Sequence, residues 1–167
     1  MIGFFTDPYP DELLYSALAR YHRRARNLSK EATARDLFGN KRAKIVVDLP
    51  TRLDYFASQL PSETYSVNRL IDEYTMLPFY SPFTPSERHV ALRQSMSGEG
   101  GGSLHARLGI LTSGIDVKHL RFCILCVQED REPYWHRIHQ APGVKVCPTH
   151  SILLSLSDVS VRNRSNG

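Results

Sequence analysis

Cysteine is scarce in this chain: three in 167 residues, with none before position 123. Tryptophan occurs once, as Trp135. No apolar run approaches the roughly 18–20 residues needed to cross a bilayer. The opening "MIGFFTDPYPDELL" has neither the basic start nor the apolar stretch of a secretory leader. These absences predict a cytoplasmic protein without a membrane partner, in which cysteines serve as thiols or thiolates rather than disulfides. Several chemical signatures are missing too. There is no GxxxxGK[ST] loop, no GxSxG elbow and no HExxH pair, and "GEGGGS" is glycine-rich but lacks the phosphate-binding lysine. Aspartate and glutamate are scattered, with no acidic cluster for a two-metal site. A catalyst is therefore not expected.

What is present is ordinary in bulk and local in its detail. Hydrophobic residues make up 41% and charged residues 23%, as in a soluble domain. The length suits one domain or two small ones. The net charge of +4 leans toward polyanionic partners without deciding for them.

Apolar spacing over 10–26, "PDELLYSALARYHRRAR", predicts a first helix, with Pro10, Asp11 and Glu12 in its first turn and Arg20, Arg23, Arg24 and Arg26 toward its C-terminal end. Ser29 is an N-cap and Gly39 a stop for a second helix, and the short "NLS" link makes the pair resemble a helix-turn-helix. A basic stretch, "NKRAKIVVDLP", follows. Further helices are expected at 51–60, at 67–77 behind Ser66, and at 85–96. The last rests on a capping box, with Thr84 as N-cap, Pro85 in the first helical position and Glu87 three residues on. The fold class expected is mainly α: a helix-turn-helix-like helical domain over 1–96, a glycine-rich linker over 97–103, a zinc-ribbon-like domain over 104–156 and a polar tail over 157–167.

All three cysteines fall in "RFCILCVQEDREPYWHRIHQAPGVKVCPTH", residues 121–150. The spacing is Cys123-x2-Cys126, twenty residues, then Cys147-x2-His150. Each pair bites one ion from a tight turn, and two pairs make a tetrahedral Cys3His site. Four protein ligands leave no open position, so one structural Zn2+ is expected, supplying folding free energy to a region too small and polar for a core of its own. A zinc hydrolase is disfavoured for the same reason. His136 and His139 share a helical face and are open to two readings, a metal role as alternative ligands or a second site, or a surface role with Trp135 and Arg137 in phosphate contact, base stacking or partner binding. Trp135 is equally consistent with packing over the metal knuckle. Arg23, Arg24, Arg26, Lys41, Arg42 and Lys44 are the other candidates for DNA or partner contact.

Four segments in one order carry a family resemblance: "YPDELLYSALARYHRR", "NLSKEATARDLFG", "YTMLPFYSPFTPSER" and the C-x2-C…"YWHRIHQAPGVKVCPTH" run. Over about residues 5–154 the chain resembles the TnsD/TniQ family of transposon target-selection proteins. The resemblance implies a non-catalytic adaptor that recognises double-stranded target DNA or a guide-RNA (CRISPR) effector complex and recruits a TnsC-type AAA+ ATPase. It carries Cys123, Cys126, Cys147 and His150 over as zinc ligands. "CILC" departs from the family's frequent "CPxC", and the chain is short for a TnsD-type reader of DNA sequence. It is expected to be a TnsD-type N-terminal portion or a short TniQ. A stand-alone zinc-containing transcription regulator and a protein-binding module that touches no DNA are the competing expectations.

Overall fold

The computed structural model describes residues 2–61, 63–98, 104 and 119–160. Most of the glycine-rich linker, the apolar piece after it apart from Leu104, and the tail from 161 lie outside the described residues.

Helix α1 (Leu14–Arg24) begins later than its sequence suggests. Pro10, Asp11 and Glu12 precede it as a strap that turns at Asp11, φ 55°, where the Glu12 amide donates to the Tyr9 carbonyl at 3.1 Å, and Leu13 caps it without a side-chain bond. The reason is tertiary. Glu12 is fully buried and binds Arg20 through both oxygens, Arg20 Nε to Oε1 at 3.0 Å and Nη2 to Oε2 at 2.7 Å. These charges satisfy each other in the interior rather than complementing a helix dipole at the surface.

Helix α2 (Lys30–Phe38) keeps both of its signals. Ser29 Oγ accepts from the Ala32 amide at 3.1 Å, and Gly39 takes φ 66°, a left-handed conformation that disfavours any side chain. Helix α3 (Leu53–Ser58) is followed by α4 (Val67–Tyr74), which Ser66 caps through the Arg69 amide. The proline–aromatic stretch is itself helical, as α5 (Leu77–Tyr80) and a 3-10 turn (Ser81–Phe83). That turn diverts the expected capping box. Thr84 Oγ1 donates back to the Tyr80 carbonyl at 2.9 Å, and α6 (Ser86–Ser97) starts without a side-chain cap.

The remainder is a two-stranded antiparallel sheet, β1 (His119–Phe122) with β2 (Ser155–Ser160), and two short helices, α7 (Ile124–Glu129) and α8 (Arg137–Gln140). Phe122 pairs with Ser155 and Arg121 with Leu156. Residues 157–160, expected to belong to a frayed tail, thus complete a strand. The fold is mainly helical with this one small sheet. One core runs through both parts: Leu18, Leu37, Phe56, Leu70 and Leu92 from the helices cluster with Leu120 and Ala141. No helix among the described residues is long and apolar enough to cross a membrane.

Candidate metal centre

The C-x2-C pair sits at the junction of β1 and α7. Cys123 caps the helix, and its carbonyl accepts from the Val127 amide at 3.1 Å, which turns Cys126 back toward it. The second pair lies on a tight turn in which Ser151 N donates to the Cys147 carbonyl and Cys147 N to the Ile152 carbonyl, both at 2.8 Å. Cys147 is followed by Pro148 and a turn that returns His150 to the same point.

The result is a buried cluster. Cys123, Cys126, Cys147 and His150 offer ligand atoms all within 4.8 Å of one another. His150 Nδ1 lies 3.4 Å from Cys123 Sγ, 3.4 Å from Cys126 Sγ and 3.6 Å from Cys147 Sγ, and Cys126 Sγ lies 3.7 Å from Cys147 Sγ. A tetrahedral ion with bonds of about 2.3 Å to sulfur and 2.0–2.1 Å to nitrogen sets sulfur–sulfur edges of about 3.8 Å and sulfur–nitrogen edges of about 3.6 Å. The four side chains are spaced to hold such an ion. A small apolar shell of Leu125, Ile152 and Leu154 packs on the cysteines.

The electrostatics fit a cation. Burial, and then the neighbouring Cys147 and Cys123, push the Cys126 thiol up to about 12, because a second thiolate here would meet like charge in a dry setting. Burial opposes ionisation of Cys147 as well, but hydrogen bonds from the backbone and side chain of His150 and from the Thr149 backbone hold it down to about 7. His150 is raised to about 9 by its contacts with Cys147 and Glu129. A divalent ion relieves the thiolate repulsion and displaces these protons.

Glu129 was not visible in the sequence as part of this site. It ends α7, three residues after Cys126, and its Oε2 lies 3.0 Å from His150 Nε2. A carboxylate on the far nitrogen of a ligating histidine fixes ring orientation and raises ligand basicity. Glu129→Gln is expected to weaken metal affinity by about 10- to 100-fold while leaving the stoichiometry unchanged. Competition with a chromophoric chelator measures it, and unchanged affinity would remove Glu129 from the site.

His136 and His139 stay outside the four-ligand set. His136 is half-buried, with Nε2 3.0 Å from Asp130 Oδ2. His139 is buried, with Nε2 4.0 Å from Cys126 Sγ, and is not among the four residues whose ligand atoms converge. Burial, helped by His136, holds its imidazole down to about 4. Arg137 is buried as well, and its Nη1 donates to the Asp72 carbonyl at 2.8 Å. Arg137 and His139, expected from the sequence to contact phosphate or a partner, are thus both buried.

These residues form a joint with the helical part. The strap before α1 pairs with 134–138: Leu13 N donates to the Trp135 carbonyl at 2.8 Å, Arg137 N to the Asp11 carbonyl at 2.7 Å, and Ile138 N to Asp11 Oδ2 at 2.9 Å. Trp135 is half-buried against the shared core and meets Phe122 edge-on. A ring stack continues from Arg20 over Tyr9, through Tyr134 and His136, to His139 beside Cys126. Arg23, Arg24, Arg26, Lys41, Arg42 and Lys44 are all exposed, and of these Arg24 pairs with Glu132 at 2.6 Å.

The arrangement defines a class: a helical protein clasped to a small knuckle whose four donors enclose one metal position. Comparison with known proteins places it more narrowly. The chain belongs to the TniQ family, whose family model matches residues 4–154. It is also similar to the transposon Tn7 transposition protein TnsD of Escherichia coli, 31% identical over 156 residues. That alignment covers 90% of this chain and 31% of the TnsD sequence, so the chain spans about a third of its curated relative. The resemblance read from the four ordered segments is borne out.

Proposed function

We propose that this chain is a target-selection adaptor of a transposition system, joining target DNA, or a guide-RNA complex bound to it, to a TnsC-type ATPase in the bacterial cytoplasm. The observation that carries this reading is the match to the TniQ family along residues 4–154, with a transposition protein as relative. The basic surface supports it. Arg23 and Arg24 end α1, Arg26 follows it, and Lys41, Arg42 and Lys44 follow α2, all exposed. In this reading α1 and α2, joined by a short turn with His22 Nδ1 2.6 Å from Thr33 Oγ1, form the helix-turn-helix-like unit. The helical part over 1–96 and the metal part over 104–156 act as two domains held by the strap joint.

The metal is one zinc, and its role is structural. Three thiolates and an imidazole suit zinc, and a closed set of four leaves no position for water or substrate. Cys123, Cys126, Cys147 and His150 hold it. Its chemistry is confined to binding: it draws β1, α7 and the 147–150 turn together and thereby fixes 134–138 against the strap.

The test is binding of the full chain to labelled duplex DNA across a salt series, with excess unrelated DNA, with and without the ATPase and ATP. Six exposed cations bound the expected salt slope at about −5, and non-specific affinity is weak at physiological salt. The adaptor reading predicts weak, salt-sensitive binding by the chain alone and stable retention with the ATPase. Tight, sequence-selective binding by the chain alone supports a stand-alone regulator instead. No added retention with the ATPase overturns the adaptor.

A further inference from the structure

Between α1, α2 and the irregular segment 41–45 lies a cleft of about 450 Å³. Its floor is apolar. Leu18 and Ala34 are buried there, and Tyr15, Ala43 and Ile45 are half-buried and packed on the main core. Its rim is basic, with Lys30, Lys41, Arg42 and Lys44 exposed against the single carboxylate of Glu31. None of these four cations makes a side-chain salt bridge within 4 Å among the described residues. The polar groups at the inner end are already satisfied. Thr33 Oγ1 lies 2.6 Å from His22 Nδ1 and accepts from Asn27 Nδ2 at 3.0 Å.

An apolar floor under a cationic rim is poorly used by a nucleic-acid backbone. A duplex presents a convex surface of phosphates, which meets charges that protrude and leaves a recess empty. A recess of this volume, within the roughly 300–1,000 Å³ of ordinary ligand pockets, fits apolar side chains carried between carboxylates. The chain's own undescribed segments do not match. Residues 99–103, 105–118 and 161–167 carry two carboxylates, Glu99 and Asp116, against Arg107, Lys118, Arg162 and Arg164.

We propose that this cleft binds an acidic peptide segment of a partner protein, with an apolar side chain seated on Leu18, Ala34 and Ile45 and carboxylates meeting Lys41, Arg42 and Lys44. The inference deepens the adaptor reading and rests on it only for the existence of a protein partner. It gives the 41–44 cations to that partner and leaves Arg23, Arg24 and Arg26 for phosphate. Charge complementarity at such a rim sets orientation and association rate, and the apolar anchor sets residence time.

The test selects a phage-displayed library of random dodecapeptides on the immobilised full chain and measures winning synthetic peptides by fluorescence polarisation. Two surface variants keep the fold, checked by circular dichroism: Lys41→Glu with Lys44→Glu, and Ala19→Trp, which fills the cleft from an exposed position. The expected winners are acidic with an apolar anchor. They are expected to lose about tenfold or more in affinity on either variant, as tightly coupled charge pairs and anchors do. Winners without acidic residues, winners that bind both variants as well as the parent, or no enrichment at all would overturn the proposal. Peptide binding that persists when the ATPase assay fails keeps the cleft and removes the adaptor; the reverse result keeps the adaptor and removes the cleft.

Discussion

Stripping the metal with a strong chelator, or replacing Cys147 with Ser, is expected to abolish the folded structure of the β1–α7–α8–β2 part while most of α1–α6 remains. The reason lies in how unevenly the core is divided. The large cluster draws Leu14, Leu18, Leu37, Phe56, Leu70, Ile71 and Leu92 from the helices, whereas the knuckle has the three cysteines with Leu125, Ile152 and Leu154. Structural zinc contributes on the order of 10–16 kcal/mol in small zinc-binding peptides, comparable to the whole stability of a domain at about 5–15 kcal/mol. An emptied cluster instead crowds three thiols and an imidazole in a buried space, with Cys123 and Cys147 fully inaccessible to solvent. Hydrogen exchange checks this. Amides of Cys147 and Leu154, bonded within the knuckle, lose protection first. Leu13 and Arg137, whose amides bridge the strap to 134–138, lose part of theirs with them, because Asp130 at the end of α7 holds His136 at 3.0 Å while Trp135 and Ile138 stay packed on the main core. Circular dichroism keeps most of its helical signal. Unchanged protection at Leu13 and Leu154 after complete metal removal would show that the joint stands without the knuckle.

The second large effect is expected at Glu12. Glu12→Ala leaves the Arg20 guanidinium 5% exposed with its bidentate partner gone, and removes the acceptor of the Tyr9 amide at 2.8 Å. Breaking a buried pair from one side destabilises by about 3–5 kcal/mol, far more than loss of an exposed helical pair such as Arg69–Glu73. Glu132 lies 3.7 Å from Arg20 and takes over only part of the charge. The corresponding fall in midpoint is roughly 6–20 °C for a chain of this size. Replacing both partners together, Glu12→Leu with Arg20→Met, is expected to recover most of that loss, since no charge is then left buried alone. Thermal unfolding of the single and double variants decides it. A single variant within about 0.5 kcal/mol of the parent would mean that water reaches Arg20.

The contrast between these two sites explains what could be read from the chain and what could not. Ser29, Ser66 and Gly39 act on their own helix ends, so local chemistry was enough to place them. The Cys–His pairs were legible because a C-x2-C or C-x2-H spacing brings two donors together on one tight turn whatever the rest of the fold does. Thr84 misled because its hydroxyl had a nearer acceptor, the Tyr80 carbonyl, created by a 3-10 turn that the prolines conceal. Glu12 and Arg20 looked like helix-end charges because burial is a tertiary property, and their i, i+8 spacing carries no signal of its own. Arg137 and His139 looked like surface groups for the same reason. Arg137 is held by the strap before α1, more than 120 positions away in sequence and invisible to any local pattern, and His139 lies beside Cys126 and His136. Glu129 became a member of the site only once His150 Nε2 was seen to face it.

The central claim is that Cys123, Cys126, Cys147 and His150 enclose one metal ion and leave it no open position. X-ray absorption at the zinc edge of the purified full chain, together with metal content, tests this most directly. The account predicts one zinc per chain, with three sulfur ligands at about 2.3 Å and one nitrogen at about 2.0 Å, unchanged by added anions. A shell containing oxygen, a coordination number above four, or a folded chain that carries no metal would contradict it.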